Sequence, residues 1–225
     1  MGAPAPAAPP ADCSLCPRLL AFRQDNGERY PTFHNAPVPS FGPADATLLI
    51  VGLAPGLKGA NQTGRPFTGD YAGDLLYTTL EKFGLSGGGY DRRPDDGLEL
   101  LDCRVTNAVR CVPPENKPTT EEIRTCQPFL KAEMEALPRL QAILALGTVA
   151  HGSVLQALDL KKSAYRFAHG AIHELEGGNL DRGLLFADSY HCSRYNTNTG
   201  RLTPTMFEAV FEVLLARLPE LRRKA

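Results

Sequence analysis

The chain carries no excess of positive charge. Its 24 Lys and Arg stand against 25 Asp and Glu over 225 residues, for a formal net charge of −1. Nucleic-acid binders are more often basic overall, so composition argues against a chain that is basic all over. The cations are clustered, however: Lys161, Lys162 and Arg166 lie together, Arg194 and Arg201 flank a polar stretch, and Arg222, Arg223 and Lys224 come last. A local basic face therefore stays open. No apolar run approaches the ~20 residues of a spanning helix, which excludes a helical membrane role. The opening MGAPAPAAPPAD has neither the basic start nor the apolar stretch of a secretory signal. Residues 1–12 are expected to be a disordered Pro/Ala-rich tail and 13–225 a single domain, and internal repeats are lacking. At 43% apolar and 22% charged residues, the rest is ordinary globular material.

The predicted elements begin with a helix over Leu19–Tyr30, followed by a Pro-rich connection to residue 46. Thr47 to Leu53 is nearly all apolar and ends in glycine-rich sequence, as a buried strand of a parallel sheet does. Helical spacing returns over Tyr71–Phe83, and the stretch from Gly87 to Gly97 reads as a surface loop. Cys103 to Val109 is a second strand, and Thr119 with Glu122 forms a capping-box pattern opening a helix to about Leu137. Gln141–Leu146 is a third strand, Val149–Leu158 a helix, Leu184–Ala187 a short fourth strand, and Thr203-Pro204 starts a last helix. This alternation predicts an α/β fold, a three-layer α/β/α sandwich around a short, mostly parallel four-stranded sheet. Ligands of such sheets sit at the carboxyl ends of the strands. The loops after Leu53, Val109 and Ala187 should then meet at one site.

Two features carry chemistry. Among the six cysteines, Cys13 and Cys16 form a C-x-x-C pair, and Cys111 and Cys126 lie far along the chain. Four such thiolates can hold a tetrahedral zinc or an iron–sulfur cluster. With no export signal, cysteines point to a reducing cytoplasm. The run GLAPGLKGANQTGRPFTGD at 52–70 offers a glycine-rich backbone that a phosphate or flat ring can approach, one aromatic (Phe67), two cations (Lys58, Arg65) and one acid (Asp70).

Three strings together resemble a known family. NAVRCVPPENKPTTEE at 107–122, with Cys126-Gln127-Pro128-Phe129-Leu130, is similar to the cluster-binding segment of the iron–sulfur uracil-DNA glycosylases, families 4 and 5. The run at 52–70, with its core from Asn61 to Asp70, resembles the first motif of family 5 (type B). The block from Asp188 to Pro204, containing His191-Cys192-Ser193, resembles that family's second catalytic motif. The resemblance runs from Cys13 to Pro204 in the family's order. It implies a [4Fe–4S] cluster on Cys13, Cys16, Cys111 and Cys126, with Cys103 a strand thiol and Cys192 part of the His191 motif.

It further implies a monofunctional DNA repair glycosylase, a monomer, that extrudes uracil or another deaminated base from double-stranded DNA and hydrolyses its N-glycosidic bond. Such a protein would be cytoplasmic and prokaryotic, in use at the nucleoid. Phe67 would stack on the base, with Gly52 and Ala54 beside it, and Asn107 would read its N3–H and O4 edge. His191 would donate to O2 of the leaving base, and Asp70 would position water or stabilise the sugar cation. Asn61, Arg65, Ser193, Arg194, Tyr195 and Arg201 would contact DNA. Ala54 stands where several other glycosylase families place a water-activating Asp or Asn. That substitution keeps a rival reading open: a non-catalytic damage- or abasic-site-binding protein on the same scaffold. A third reading is a zinc-stapled α/β protein acting on free nucleotides.

Overall fold

A computed structural model describes residues 8–178, 180 and 183–218. In chain order the elements are α1 (Pro17–Arg29), β1 (Leu48–Gly52), α2 (Ala60–Thr63), α3 (Tyr71–Lys82), β2 (Ser86–Gly87), β3 (Glu99–Leu100) and β4 (Cys103–Asn107). There follow α4 (Thr120–Glu135), β5 (Ala142–Leu146), α5 (Thr148–Ala157), β6 (Ile172–Leu175), β7 (Leu184–Ser189), α6 (Arg194–Asn198) and α7 (Pro204–Ala216). The expected tail falls outside the described residues for 1–7, as does the basic cluster Arg222, Arg223 and Lys224.

The sheet has five strands, in the order β4-β1-β5-β7-β6, and not the four expected. The first four are parallel, and β6 runs antiparallel to β7 along one edge. The sequence hid β6 because Ile172-His173-Glu174-Leu175 is short and half polar, as suits an edge strand wetted on one side. The expected loop from Gly87 to Gly97 is flanked by two short strands the sequence did not suggest, β2 and β3, which pair as a small antiparallel sheet.

The layers follow from the strands' alternation. Leu48, Ile50 and Leu144 pack with Leu76, Leu80, Phe207 and Phe211 of α3 and α7. Leu49, Val51 and Ile143 pack with Leu130, Met134, Val154 and Leu155 of α4 and α5. Each such side chain contributes about 1.5–3 kcal/mol on full burial. Helix starts are set by polar caps: Asp70 on α3, the Thr119–Glu122 capping box on α4, and Thr203 before the leading Pro204 of α7. Glu122 also accepts both forks of Arg18 at 2.7 Å, tying α1 to the start of α4. The parallel strands thus end together on one rim, with α1 held beside it.

Candidate active site

At the rim, β1 and β4 finish side by side, with Gly52 paired in register to Asn107. A Cβ on Gly52 would stand 2.4 Å from Asn107 Oδ1 and 2.5 Å from Phe67 Cζ, so only glycine lets those groups meet there. Asn107 is 3% exposed, and its amide hydrogen-bonds to no described residue. A buried amide of that kind is a donor and an acceptor awaiting a partner.

Phe67 is buried with φ at +52°, the left-handed region that a bulky residue occupies only when its surroundings hold it there. Tyr90 Oη donates to its carbonyl at 3.2 Å, and a Cβ on Gly73 would lie 1.8 Å from that same oxygen. Gly73 of α3 and Tyr90, which lies between β2 and β3, therefore hold this stretch of backbone together. On its other side, the Phe67 ring stacks on the His191 ring at 5.9 Å between centroids and 26° between planes.

His191 follows β7 and packs over Gly147, whose Cβ would lie 3.5 Å from that of His191. Asn196 Nδ2 holds its carbonyl at 2.8 Å. Its ring hydrogen-bonds to no described residue, and burial pushes its pKa down to about 4. The imidazole is consequently neutral at physiological pH.

Asp70 divides its carboxylate between two tasks. Oδ1 accepts the amides of Ala72 at 3.1 Å and Gly73 at 3.3 Å. Oδ2 faces the loop after β1, where a Cβ on Gly59 would come within 2.4 Å and one on Gly56 within 3.2 Å. Burial raises the carboxyl above its ordinary value and outweighs the two amide bonds.

Two expected phosphate contacts lie inward and are corrected here. Asn61 is fully buried and donates to Asn35 Oδ1 at 2.9 Å. Arg65 forms a bidentate pair with buried Asp96, at 2.8 and 2.7 Å, among the rings of Phe41, Tyr77 and Tyr90. Arg65 is committed to Asp96, and Asn61 is enclosed by the protein, with its Oδ1 buried without a partner. The other expected contacts lie outside. Ser193 caps α6 and accepts from the Asn196 amide at 3.4 Å. Arg194 lies 5.5 Å over the Tyr71 ring, Arg201 lies 4.5 Å over the Tyr190 ring, and Tyr195 is 71% exposed. Lys58 is exposed on the loop after β1.

Cys13, Cys16, Cys111 and Cys126 line one pocket beside the rim, together with Leu19, Arg23 and Val109. Burial, and then the neighbouring Cys126 thiol, push Cys16 up to about 11; burial pushes Cys111 up to about 12 against the opposing charge of Arg23. Ala54 packs against this group, so the loop after β1 touches the pocket wall. Among the described residues no three Cys, His, Asp or Glu side chains close around a single ion-sized point. Cys103 and Cys192 are buried elsewhere.

Sequence reasoning missed three participants. Gly147, Gly73 and Tyr90 support His191 and Phe67; Gly147 must be glycine for its φ of +99° and Gly73 for its approach to the Phe67 carbonyl. Asp188, at the head of the His191 block, turns instead to two histidines, 2.8 Å from buried His151 Nδ1 and 3.5 Å from half-buried His173 Nε2.

The ends of the parallel strands thus bring an aromatic ring, a buried amide and a neutral imidazole close together on an α/β fold, the end of such sheets at which ligands bind. Residues 39–215 match the family model described as the Uracil DNA glycosylase superfamily, and the chain belongs to that superfamily. It is 47% identical to a type-5 uracil-DNA glycosylase of Thermus thermophilus over 208 residues, covering 90% of this chain and 91% of that one. It is 40% identical to a type-5 uracil-DNA glycosylase of Pyrobaculum aerophilum, covering 90% and 86%. A type-4 uracil-DNA glycosylase of Archaeoglobus fulgidus is 34% identical over 62% of each chain.

Proposed function

We propose that the protein is a uracil-DNA glycosylase that hydrolyses the N-glycosidic bond of uracil and of other deaminated bases, hypoxanthine and modified uracils among them, in double-stranded DNA. The product is an abasic site. The meeting of Phe67 and Asn107 over Gly52, with the His191 ring stacked on Phe67, supports this reading, since it brings together a stacking face, an edge-reading amide and a neutral donor.

A base inside the duplex is out of reach, so the nucleotide is extruded at a cost of a few kcal/mol. Phe67 stacks on the extruded base, a contact worth ~1–3 kcal/mol. Asn107 accepts N3–H and donates to O4 of uracil. As the C1′–N1 bond breaks, negative charge gathers on the base. The neutral His191 donates to O2, where that charge develops. Positive charge gathers on the sugar at the same time. Asp70 Oδ2, aimed at the glycine loop after β1, holds water or faces that cation, while Oδ1 keeps the side chain fixed on α3. Ser193, Arg194, Tyr195 and Arg201 line the approach and position the DNA backbone without reading sequence.

The four cysteines suit a [4Fe–4S] cluster: they surround a pocket rather than one point, and two buried arginine Nε groups beside it lack partners. Bound there, such a cluster supplies a cross-link between the α1 arm, the loop after β4 and α4. We take the protein to work as a cytoplasmic monomer; no described helix is long and apolar enough to cross a membrane. The damage-binding alternative has no observation of its own, and the relatives that match nearly end to end are named glycosylases.

Excision from duplex oligonucleotides bearing one uracil or one hypoxanthine, read as alkali-labile sites, tests this function. Release by the wild type, lost in Asp70→Asn and His191→Ala without loss of DNA binding, is the expected result. Tight lesion binding with no release of either base would overturn it.

A further inference from the structure

Arg23 lies on α1, two turns beyond Cys16, and is 5% exposed. Its Nη1 donates to the Ala11 carbonyl at 3.0 Å and its Nη2 to the Cys13 carbonyl. Its Nε is buried without a partner, and no carboxylate among the described residues pairs with it. A guanidinium is always charged, and burying a cation against neutral carbonyls alone is costly unless negative charge stands nearby.

Arg110 lines the same pocket and shows the contrast. Its Nη2 meets Glu133 at 2.9 Å with both side chains 1% exposed, and its Nη1 meets Ser40 at 2.6 Å. Arg110 thus pairs with a buried carboxylate, one it shares with Arg104, although its Nε is also buried without a partner; Arg23 pairs with no carboxylate among the described residues. What surrounds Arg23 is a pocket of four thiols and the apolar side chains of Leu15, Leu19 and Leu20. The same pocket already shows a nitrogen donor directed at sulfur, since the Arg110 amide donates to Cys126 Sγ at 3.4 Å.

We infer that Arg23 is the counter-charge of the cofactor held by Cys13, Cys16, Cys111 and Cys126, with its Nε–H directed at sulfur while its two other nitrogens clasp the cysteine-bearing arm. The inference rests on the cluster reading above. Four thiolates on an iron–sulfur core leave net negative charge, and Arg23 is the buried cation that lacks a partner for it. One side chain would thereby couple closure of residues 11–13 to the presence of the group, through the outer contacts that tune metal affinity.

Three full-length proteins purified without oxygen decide the matter: wild type, Arg23→Gln and Arg23→Lys. Gln keeps a donor for the arm carbonyls and loses the charge, whereas Lys keeps the charge and loses the fork. Iron, acid-labile sulfide and absorbance near ~400 nm are measured, then the decay of that absorbance in air with a chelator. The cluster of Arg23→Gln is expected to bleach at least about tenfold faster than the wild type's, with Arg23→Lys staying within about threefold, as outer contacts to metal sites are worth 10–100-fold. Equal lifetimes in all three proteins, or equal losses in both variants, would overturn the role of Arg23 as counter-charge while leaving the cluster in place. A wild type without iron and sulfide would overturn the cluster reading itself. If Arg23→Gln does not accumulate as folded protein, Arg23→Lys alone decides: a near-wild-type lifetime supports the role, and loss comparable to about tenfold ends it.

Discussion

The rings of Phe67 and His191 lie 5.9 Å apart and 26° from parallel, although they come from loops after different strands. The contact places a stacking surface against a hydrogen-bonding ring, so the two residues should fail in different ways. Phe67→Ala is expected to slow single-turnover excision roughly 10- to 100-fold, the equivalent of ~1–3 kcal/mol of ring stacking. His191→Ala should cost about 100- to 1,000-fold in the chemical step, like other donors aimed at developing charge. Substrate affinity should fall for Phe67→Ala and hold for His191→Ala, which gel-shift titration with uncleaved duplex would check.

The pH profile should assign the acid limb. His191 is neutral down to about pH 4, so it adds no limb across neutrality. Asp70 has its carboxyl raised by burial, so its protonation should bound the rate on the acid side at a pH above the ordinary carboxylate range. Asp70→Asn should leave a slow, flat profile; a limb near about 6.5, the usual histidine value, surviving in that variant would reassign the titration. Stability should follow its own sign. Between the unfolded histidine value of about 6.5 and the folded value, the unfolded chain binds more protons. His191 therefore costs stability as pH falls through that window, and His191→Gln should flatten the loss.

Gly52→Ala tests the site without removing a functional side chain. Its Cβ would fall 2.4 Å from Asn107 Oδ1 and 2.5 Å from Phe67 Cζ, so both must shift. Crowding of that kind costs ~1–3 kcal/mol of stability. Misplacement by about 1 Å costs about 100-fold in rate. A protein that folds and melts roughly 2–12 °C below the wild type, yet excises far more poorly than that loss explains, is the expected outcome, read by calorimetry beside an excision assay.

Arg65→Ala should act on folding and not on DNA. It would strand Asp96, whose carboxyl the Arg65 guanidinium holds well below the usual carboxylate range. Removing one member of a buried pair costs about 3–5 kcal/mol, which denaturant unfolding would register. The wild-type pair should stabilise at neutral pH and lose that effect as acid protonates Asp96. DNA affinity of the folded fraction should stay unchanged; a large loss of affinity with full stability would restore the phosphate role.

Much of the site was legible because glycosylase-like strings keep their groups near strand ends. Thr47–Leu53 could be read as a strand since both its faces are buried, and Thr119 with Glu122 announced a helix start by chemistry local to four residues. Arg65 and Asn61 show the limit. A sequence shows that Arg65 is a cation, and its choice between phosphate and carboxylate depends on where Asp96 falls in a distant loop. β6 was hidden for a related reason, as an edge strand needs only one apolar face and His173 and Glu174 mask the alternation. The support that Gly73 and Tyr90 give to Phe67 is likewise a matter of distance in space.

The walls of the cysteine pocket come from residues 9–23 on one side and 109–129 on the other. A ribosome adding ~5–20 residues per second delivers the first wall roughly 5–20 s before the second. Throughout that interval Cys13 and Cys16 are exposed thiols on an unfinished chain, able to meet any metal or oxidant in the cell. Closure waits for α4, so the wall made first is fixed in place only after the second has been made.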